Sequence, residues 1–434
     1  MLAALMPPGL SLPLWTLLPF IGLLATIALA PLLANPTWWK RHYGWASLLF
    51  GGPICLYLLS RDASVWGGAY LHTAKDYLSF LALLLALFVI SGGVLLKGRL
   101  TGTPAVNTAL LGAGAVLASV VGTTGASMLL IRPLLQANRR RRHRTHSVVF
   151  FLFLVSNAGG CLTPLGDPPL FLGYLRGVPF AWTFLLVKPW ALLCGALLVI
   201  HLVLDSILFR KEIPRPETEA LKDPLALDGW LNLLLLGGVV GTAYLSGRMR
   251  WHFGVQEGLM LALAGMSLAL TPRRLRQVNG FRWHPVLEVG VLFAGIFAAM
   301  VPALALLEAA PLRWPSLQPH EPWQYFWATG LLSSVLDNAP TYLSFTALAS
   351  GAAGTPSGDL GALLATPDGP ALMAAISLGA VFFGALTYIG NGPNLMVKAI
   401  AEEDGVPMPS FLGYVGWSLA VLVPLFATVT WIFF

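Results

Sequence analysis

The sequence predicts an all-α integral membrane protein with two inverted-topology repeats, each carrying a re-entrant hairpin and a broken transmembrane helix. Three observations lead there. The chain of 434 residues is 56% hydrophobic and only 10% charged, with a mean hydropathy of +0.74; soluble domains carry about 25% charged residues. Its apolar runs are long enough for roughly ten spans of about 20 residues each. Two of those runs are interrupted by acids and amides among Gly and Pro: Ser156-Asn157-Ala158-Gly159-Gly160-Cys161-Leu162-Thr163-Pro164-Leu165-Gly166-Asp167-Pro168-Pro169, and Leu336-Asp337-Asn338-Ala339-Pro340-Thr341. Broken backbone survives at membrane depth only where protein or a water-filled cavity satisfies it, and ionisable groups held there point to function.

In chain order, the runs at about 14–34, 44–60, 73–96, 180–209, 229–246, 255–271, 286–307 and 411–433 read as spans. Runs 148–176 and 371–401 are long enough to cross but are broken near the middle, whereas 104–136 and 323–350 have Gly, Pro, Thr or Asp at their centres and read as hairpins. The positive-inside tendency places Arg139-Arg140-Arg141-Arg142 and Arg144 in the cytoplasm. Alternation then puts Lys40, Arg41, Lys97, Arg99, Arg210, Lys211, Arg215, Lys222, Arg273, Arg274, Arg276 and Arg282 on the same side. Arg61, Lys75, Arg176, Lys188, Arg248, Arg250 and Arg313 fall opposite, with both termini. A hairpin at 104–136 keeps Arg99 and the Arg139 cluster on one face.

The chain is expected to be a single membrane domain, 1–434. Repeat 1 covers about 44–209, a polar, Pro-rich cytoplasmic linker about 210–228, an extra span about 229–246 and repeat 2 about 255–433. Three echoes support the repeat. Ser119-Val120-Val121-Gly122-Thr123 answers Ser334-Val335-Leu336-Asp337-Asn338, Thr163-Pro164-Leu165-Gly166-Asp167 answers Thr387-Tyr388-Ile389-Gly390-Asn391, and Gly177-Val178-Pro179 answers Gly405-Val406-Pro407. Inverted repeats with discontinuous helices mark secondary transporters. The loop 351–370 is expected to carry no chemistry.

Other classes fall away. The net charge of +7 lies in short loops, where it sets orientation rather than binding nucleic acid. Cys55, Cys161 and Cys194 form no CxxC motif or disulfide framework, and Cys161 reads as a packing residue. HExxH, GxSxG and P-loop signatures are absent, so no enzyme is expected. The first apolar stretch lacks a positive n-region and a cleavage site, so no removable signal peptide is expected. Trp38, Trp39, Trp45, Trp314, Trp323 and Trp327 suit an interfacial belt. Glu288 and Glu308 read as interfacial, and His201 and Asp205 as a pair on one helix face.

The chemistry rests on four places. At the first hairpin tip, Gly122-Thr123-Thr124-Gly125 offers hydroxyls and exposed carbonyls to a hard cation, or a close helix contact through small residues. At the second, Asp337-Asn338-Ala339-Pro340-Thr341 has no basic neighbour; Asp337 can exchange a proton for a metal cation, or cap the half-helix that Pro340 begins. In the first break, Ser156, Asn157 and Thr163 precede Asp167, which is equally an ion ligand or an N-cap. In the second, Thr387, Asn391 and Asn394 hold related positions, with an amide where the first has an acid.

The chain resembles the ion transporter superfamily, in the branch of NhaD-type sodium/proton antiporters and related citrate transporters. The resemblance rests on Gly122-Thr123-Thr124-Gly125-Ala126-Ser127, on Ser156-Asn157-Ala158-Gly159-Gly160 with Thr163-Pro164-Leu165-Gly166-Asp167-Pro168-Pro169, and on Leu336-Asp337-Asn338-Ala339-Pro340. It implies a homodimer whose transport region moves against a scaffold like an elevator. Dicarboxylate relatives hold sodium and carboxylate with Ser-Asn-Thr motifs; here Thr123-Thr124 and Asp337-Asn338 stand at the tips, and Arg132 is the only arginine near the motifs. The expectation is a transporter in a bacterial inner membrane exchanging Na+ or Li+ for H+, with a cation-coupled citrate or dicarboxylate symporter as the alternative. Na+ and H+ are cargo and no cofactor is expected. Asp167 and Asp337 would alternate between proton and Na+, with Thr123, Thr124, Ser156, Asn157, Thr163, Asn338, Thr341, Thr387, Asn391 and Asn394 around them.

Overall fold

A computed structural model describes residues 12–33, 36–98, 100–212, 226–317 and 319–434. The first half contains α1 (Leu18–Leu33), α2 (Pro36–Arg61), α3 (Ala63–Ser91), α4 (Pro104–Val121), α5 (Thr123–Ala137), α6 (Thr145–Leu154), α7 (Pro168–Leu175) and α8 (Val187–Arg210). The second contains α9 (Trp230–Met249), α10 (Val255–Leu270), α11 (Arg273–Val278), α12 (His284–Arg313), α13 (Pro322–Ser333), α14 (Asn338–Ala352), α15 (Leu360–Leu364), α16 (Gly369–Phe382), α17 (Gly392–Glu403) and α18 (Phe411–Phe433). Among the described residues, 7 helices are long and apolar enough to cross a membrane. The protein is an all-α membrane protein, and its outward faces are apolar: Leu56, Leu185, Val199, Leu412 and Trp431 are all exposed. A soluble protein rarely exposes such patches.

The helices interlock across the two halves. α12 packs on α2 and α3, α10 packs on α3, and α14 packs along α12. Around the breaks, α17 lies against α5 and α7 against α14, so each restarted half-helix rests on the hairpin of the other half. The hairpin arms α4 and α5 pack together, as do α13 and α14.

Several boundaries differ from the hydropathy reading. The span expected at 73–96 begins at Ala63, because Asp62 caps the helix by accepting from Ser64 N (2.9 Å) and Val65 N (3.2 Å). It ends at Ser91 before Gly92 and Gly93; Leu95–Lys97 then form β1, paired antiparallel with β2, Ala226–Asp228. β2 falls in the expected linker. The rest of that linker that is not described (213–225, with Arg215 and Lys222) and Arg99 lie outside the described residues.

Three expected loop arginines, Arg141, Arg176 and Arg276, are buried, and Arg176 pairs with Asp76 (3.4 Å). Arg276 donates to Val89 O (2.5 Å) and Ser267 O (2.9 Å), so it satisfies carbonyls in the last turns of α3 and α10. Arg141 pairs with Asp205, which also accepts from Asn107 Nδ2 (2.9 Å) and meets His146 Nε2 (2.8 Å). His201 therefore does not pair with Asp205; it meets Thr108 Oγ1 (2.8 Å) and Ser147 Oγ (3.2 Å). Helical spacing made the His201 pairing possible, and the hairpin and α6 supplied stronger partners.

Glu308 is not interfacial but buried, accepting from Ser357 N (3.3 Å). Trp39 is buried and donates to Glu288 (3.1 Å), and Trp327 donates to Thr430 Oγ1 (3.0 Å), so these two indoles serve packing. The loop 351–370 holds α15, whose Leu360 N donates to Arg176 O (2.7 Å).

Candidate functional site

Both breaks are made by the same local chemistry. In the first, α6 ends at Leu154, a 3-10 turn spans Ala158–Cys161, and α7 restarts at Pro168 after Asp167 in extended backbone (φ −146°, ψ 142°). In the second, a 3-10 turn spans Phe383–Ala385 and α17 restarts at Gly392-Pro393 after Asn391 (φ −152°, ψ 141°). Proline suits a first helical turn, which has no partner for its N–H. The chain doubles back so tightly that a Cβ on Gly166 would lie 2.2 Å from Gly160 O, and one on Gly390 would lie 2.7 Å from Gly384 O.

Each break is tied to its own hairpin by a matching threonine. Thr163 Oγ1 donates to Ser119 O and accepts from Leu165 N (3.1 Å). Thr387 Oγ1 donates to Ser334 O (2.5 Å) and accepts from Ile389 N (3.2 Å). Thr163 and Thr387, which answer each other in one sequence echo, thus make the same two kinds of bond. Both spend their hydroxyls on the scaffold of the breaks.

Asp167 lies where these elements meet, 1% exposed. It accepts from Thr123 Oγ1 (3.0 Å) at the first hairpin, Asn338 Nδ2 (2.5 Å) at the second and Asn391 Nδ2 (3.3 Å) at the second break. Asn391 Nδ2 also donates to Ser156 O (3.0 Å), and Thr123 N to Gly166 O (2.9 Å). Every hydrogen-bond partner of the acid is neutral. Its carboxylate makes no bond to the N-terminus of α7, so it does not act as a side-chain cap there.

Asn157 donates to Leu152 O (2.7 Å) and Asn394 Oδ1 (2.8 Å), while its buried Oδ1 has no partner. Asn394 donates to Gly384 O (2.8 Å) and Thr387 O (3.0 Å). Thr124, with Asp167, Gly122, Gly125 and Phe171, lines a cavity of about 50 Å3 beside the first tip, a volume of the order needed for a water or bare ion.

Asp337 does what an N-cap does. It is half-buried, and its carboxylate accepts from Ala339 N (3.0 Å). Thr341 Oγ1 turns back to Asp337 O (2.9 Å). In register, Asp337 matches Gly122 and Asn338 matches Thr123, and it is the latter pair that reaches Asp167. Ser127 was missed as a neighbour; its hydroxyl meets that of Ser156 at 2.9 Å. Its place one turn after Thr123, at the end of the motif Gly122-Thr123-Thr124-Gly125-Ala126-Ser127, was the signal for it.

An acid enclosed by two hairpin tips and two helix breaks, within a bundle of apolar spans, defines the architecture of a membrane transport protein. A family model described as "Putative citrate transport" matches residues 9–434, and the chain belongs to that family. A search of curated proteins found no match.

Proposed function

We propose that the protein is a secondary active antiporter that exchanges Na+ or Li+ for H+ at Asp167. One observation carries the reading: the acid is fully buried, and every group that reaches it is neutral. An isolated ionised carboxylate in such surroundings costs several kcal/mol unless its charge is compensated. With no side-chain cation bonded to it, compensation comes from a proton or a bound metal cation, one at a time. That competition is the exchange.

Small rotations suffice to trade the two. A half-turn of the terminal amide of Asn338 or Asn391 replaces an N–H donor by an oxygen acceptor facing the acid. The unpartnered Asn157 Oδ1 and the main-chain oxygen of Ser156 lie in the same region. Carboxylate, amide and carbonyl oxygens are the ligands a hard cation takes. Asp337, one residue before Asn338, supplies a second negative charge at the rim and attracts the cation to the site.

The two halves are read as inverted repeats, with the Arg139 cluster in the cytoplasm of a bacterium. The hairpins and breaks move as a unit against α2, α3, α10 and α12 in a homodimer, exposing Asp167 to one side at a time.

A second reading has its own support. The half-helices α5, α7, α14 and α17 all begin around Asp167, and helix N-termini favour anions; with the family description, this suits a cation-coupled citrate or dicarboxylate symporter. Proteoliposomes separate the two. Added Na+ should collapse a preformed pH gradient without any carboxylate present. A gradient that responds only when citrate accompanies Na+ replaces the first reading by the second.

A further inference from the structure

A cavity of about 930 Å3 opens between the N-terminal half of α3, the end of α7 and the connection from α9 to α10. Its floor is polar. Asp76 and Ser79 of α3 are buried, and Ser79 Oγ donates to Glu257 Oε1 on α10 (2.5 Å). The Tyr174 hydroxyl of α7 lies 2.7 Å from Ala243 O and 3.1 Å from Gln256 Oε1. Lys75, Arg248 and Arg250 line the cavity from exposed positions.

The small cavity beside Thr124, which Asp167 lines, continues the same seam. On α3, His72, Asp76 and Ser79 face the large cavity, and Phe80, Leu83 and Leu87 face the small one. These positions recur every three or four residues, so they form one stripe along one helix face. On α7, Tyr174 and Leu175 face the large cavity, while Phe171 and the preceding Asp167 face the small one. Asp167 stands seven residues before Tyr174, about 10 Å along a helix that rises about 1.5 Å per residue.

What divides the two cavities is apolar. Phe80 is buried and stacks on Phe293 with ring centres 4.8 Å apart, and Phe171 is buried and stacks on Tyr174 at 5.7 Å. Hydrophobic constrictions close a pathway by shedding water, and a bare charge is expensive among such side chains. An ion pair secures the wide end of the seam: Asp76 on α3 meets Arg176, the residue after α7, at 3.4 Å. A polar cavity, an apolar step and a lone buried acid thus follow one another along two facing helices.

We infer that the seam between α3 and α7 is the route by which a small hydrated cation reaches Asp167 from the large cavity, and that Phe80 and Phe171 form its gate. Ser79, Gln256 and Glu257 offer oxygens on the polar side, and the cation sheds water where the stripe turns apolar. Passage needs α7 to shift against α3, so the Asp76–Arg176 pair parts as the two rings separate. The identity of the cargo as a cation rests on the exchange reading; the route and its gate do not.

The test is cysteine labelling with a hydrophilic, membrane-impermeant thiol reagent on the full-length protein in nanodiscs, where both faces are accessible. The unsubstituted chain, whose Cys161 and Cys194 are buried, supplies the blank. Ser79→Cys should label fast, and Leu83→Cys, one turn further along the stripe, at least about tenfold more slowly because it lies behind the apolar step. Adding Phe80→Ala to Leu83→Cys should bring its rate to within a few fold of that of Ser79→Cys. Should that variant fail to fold, Phe171→Leu opens the same gate with a smaller gain. Asp167→Asn should leave the difference between Ser79→Cys and Leu83→Cys unchanged, so failure of the exchange reading does not imitate failure here. Equal rates at the two positions overturn the proposal, as does a Leu83→Cys rate indifferent to both aromatic substitutions. So does labelling of Cys194 in step with Leu83→Cys, which would mean a loosened bundle rather than an opened gate.

Discussion

Asp167→Asn isolates charge from shape at the acid. In the folded protein, Oδ1 accepts from Thr123 and Asn391, and Oδ2 accepts from Asn338. An amide of the same outline keeps one acceptor and turns the other atom into a donor. If Nδ2 takes the Oδ2 position it meets the amide of Asn338, which can answer by turning its own oxygen inward. The structural loss is therefore at most one buried hydrogen bond, about 1–3 kcal/mol, within a total stability of about 5–15 kcal/mol, and the variant should fold. The functional loss is larger. Two unit charges about 4 Å apart attract by about 4 kcal/mol at an effective dielectric of about 20, or about a thousandfold in cation affinity. Proton carriage disappears outright, since an amide does not titrate in this range. The assay is Na+-driven collapse of a pH gradient in proteoliposomes, with melting temperature as the folding control. A well-folded Asp167→Asn protein that exchanges within a few fold of wild type, at unchanged Na+ affinity, refutes the reasoning.

Asp337→Asn tests the rim charge alone, because Asn caps a helix as well as Asp does; apparent Na+ affinity is expected to fall about tenfold at unchanged thermal stability, a modest long-range Coulomb effect. Unchanged affinity would reduce Asp337 to a cap. Gly166→Ala places a methyl group 2.2 Å from Gly160 O, and overpacking of this kind costs about 1–3 kcal/mol or more; a clear drop in melting temperature and yield is expected, and a neutral result would mean that the break is not so tightly folded. Arg141→Gln leaves the buried Asp205 without its guanidinium and should cost about 3–5 kcal/mol, whereas joint replacement with Arg141→Met and Asp205→Leu should recover much of the loss on thermal melting.

Much of the site was legible in one dimension because breaking a helix inside lipid needs unusual residues. Gly-Gly, Pro-Pro and Gly-Pro steps among long apolar runs marked both breaks, Gly122-Thr123-Thr124-Gly125 and Asp337-Asn338-Ala339-Pro340-Thr341 marked the hairpin tips, and the faint Thr-to-Gly echo marked positions that share their hydrogen bonds. Ranking was harder. Asp167 and Asp337 each precede a restarted half-helix, so local rules offer either one as a cap. The fold turns the first carboxylate away from its helix toward three distant neutral groups and leaves the second on Ala339 N. The Thr163 and Thr387 hydroxyls looked like ligands because their backbone targets, Ser119 and Ser334, lie on other elements. Arg141 and Arg276 looked like loop charges for the same reason.

Composition and patterning alone established a membrane protein of interrupted helices with polar groups at depth, since the bilayer imposes length, hydropathy and helix continuity on every segment separately. Which acid stands alone and which arginine is paired depend on groups 44 to 224 residues apart meeting within hydrogen-bond reach. Those meetings follow from the packing of α17 on α5 and α7 on α14. No property of a single segment encodes them.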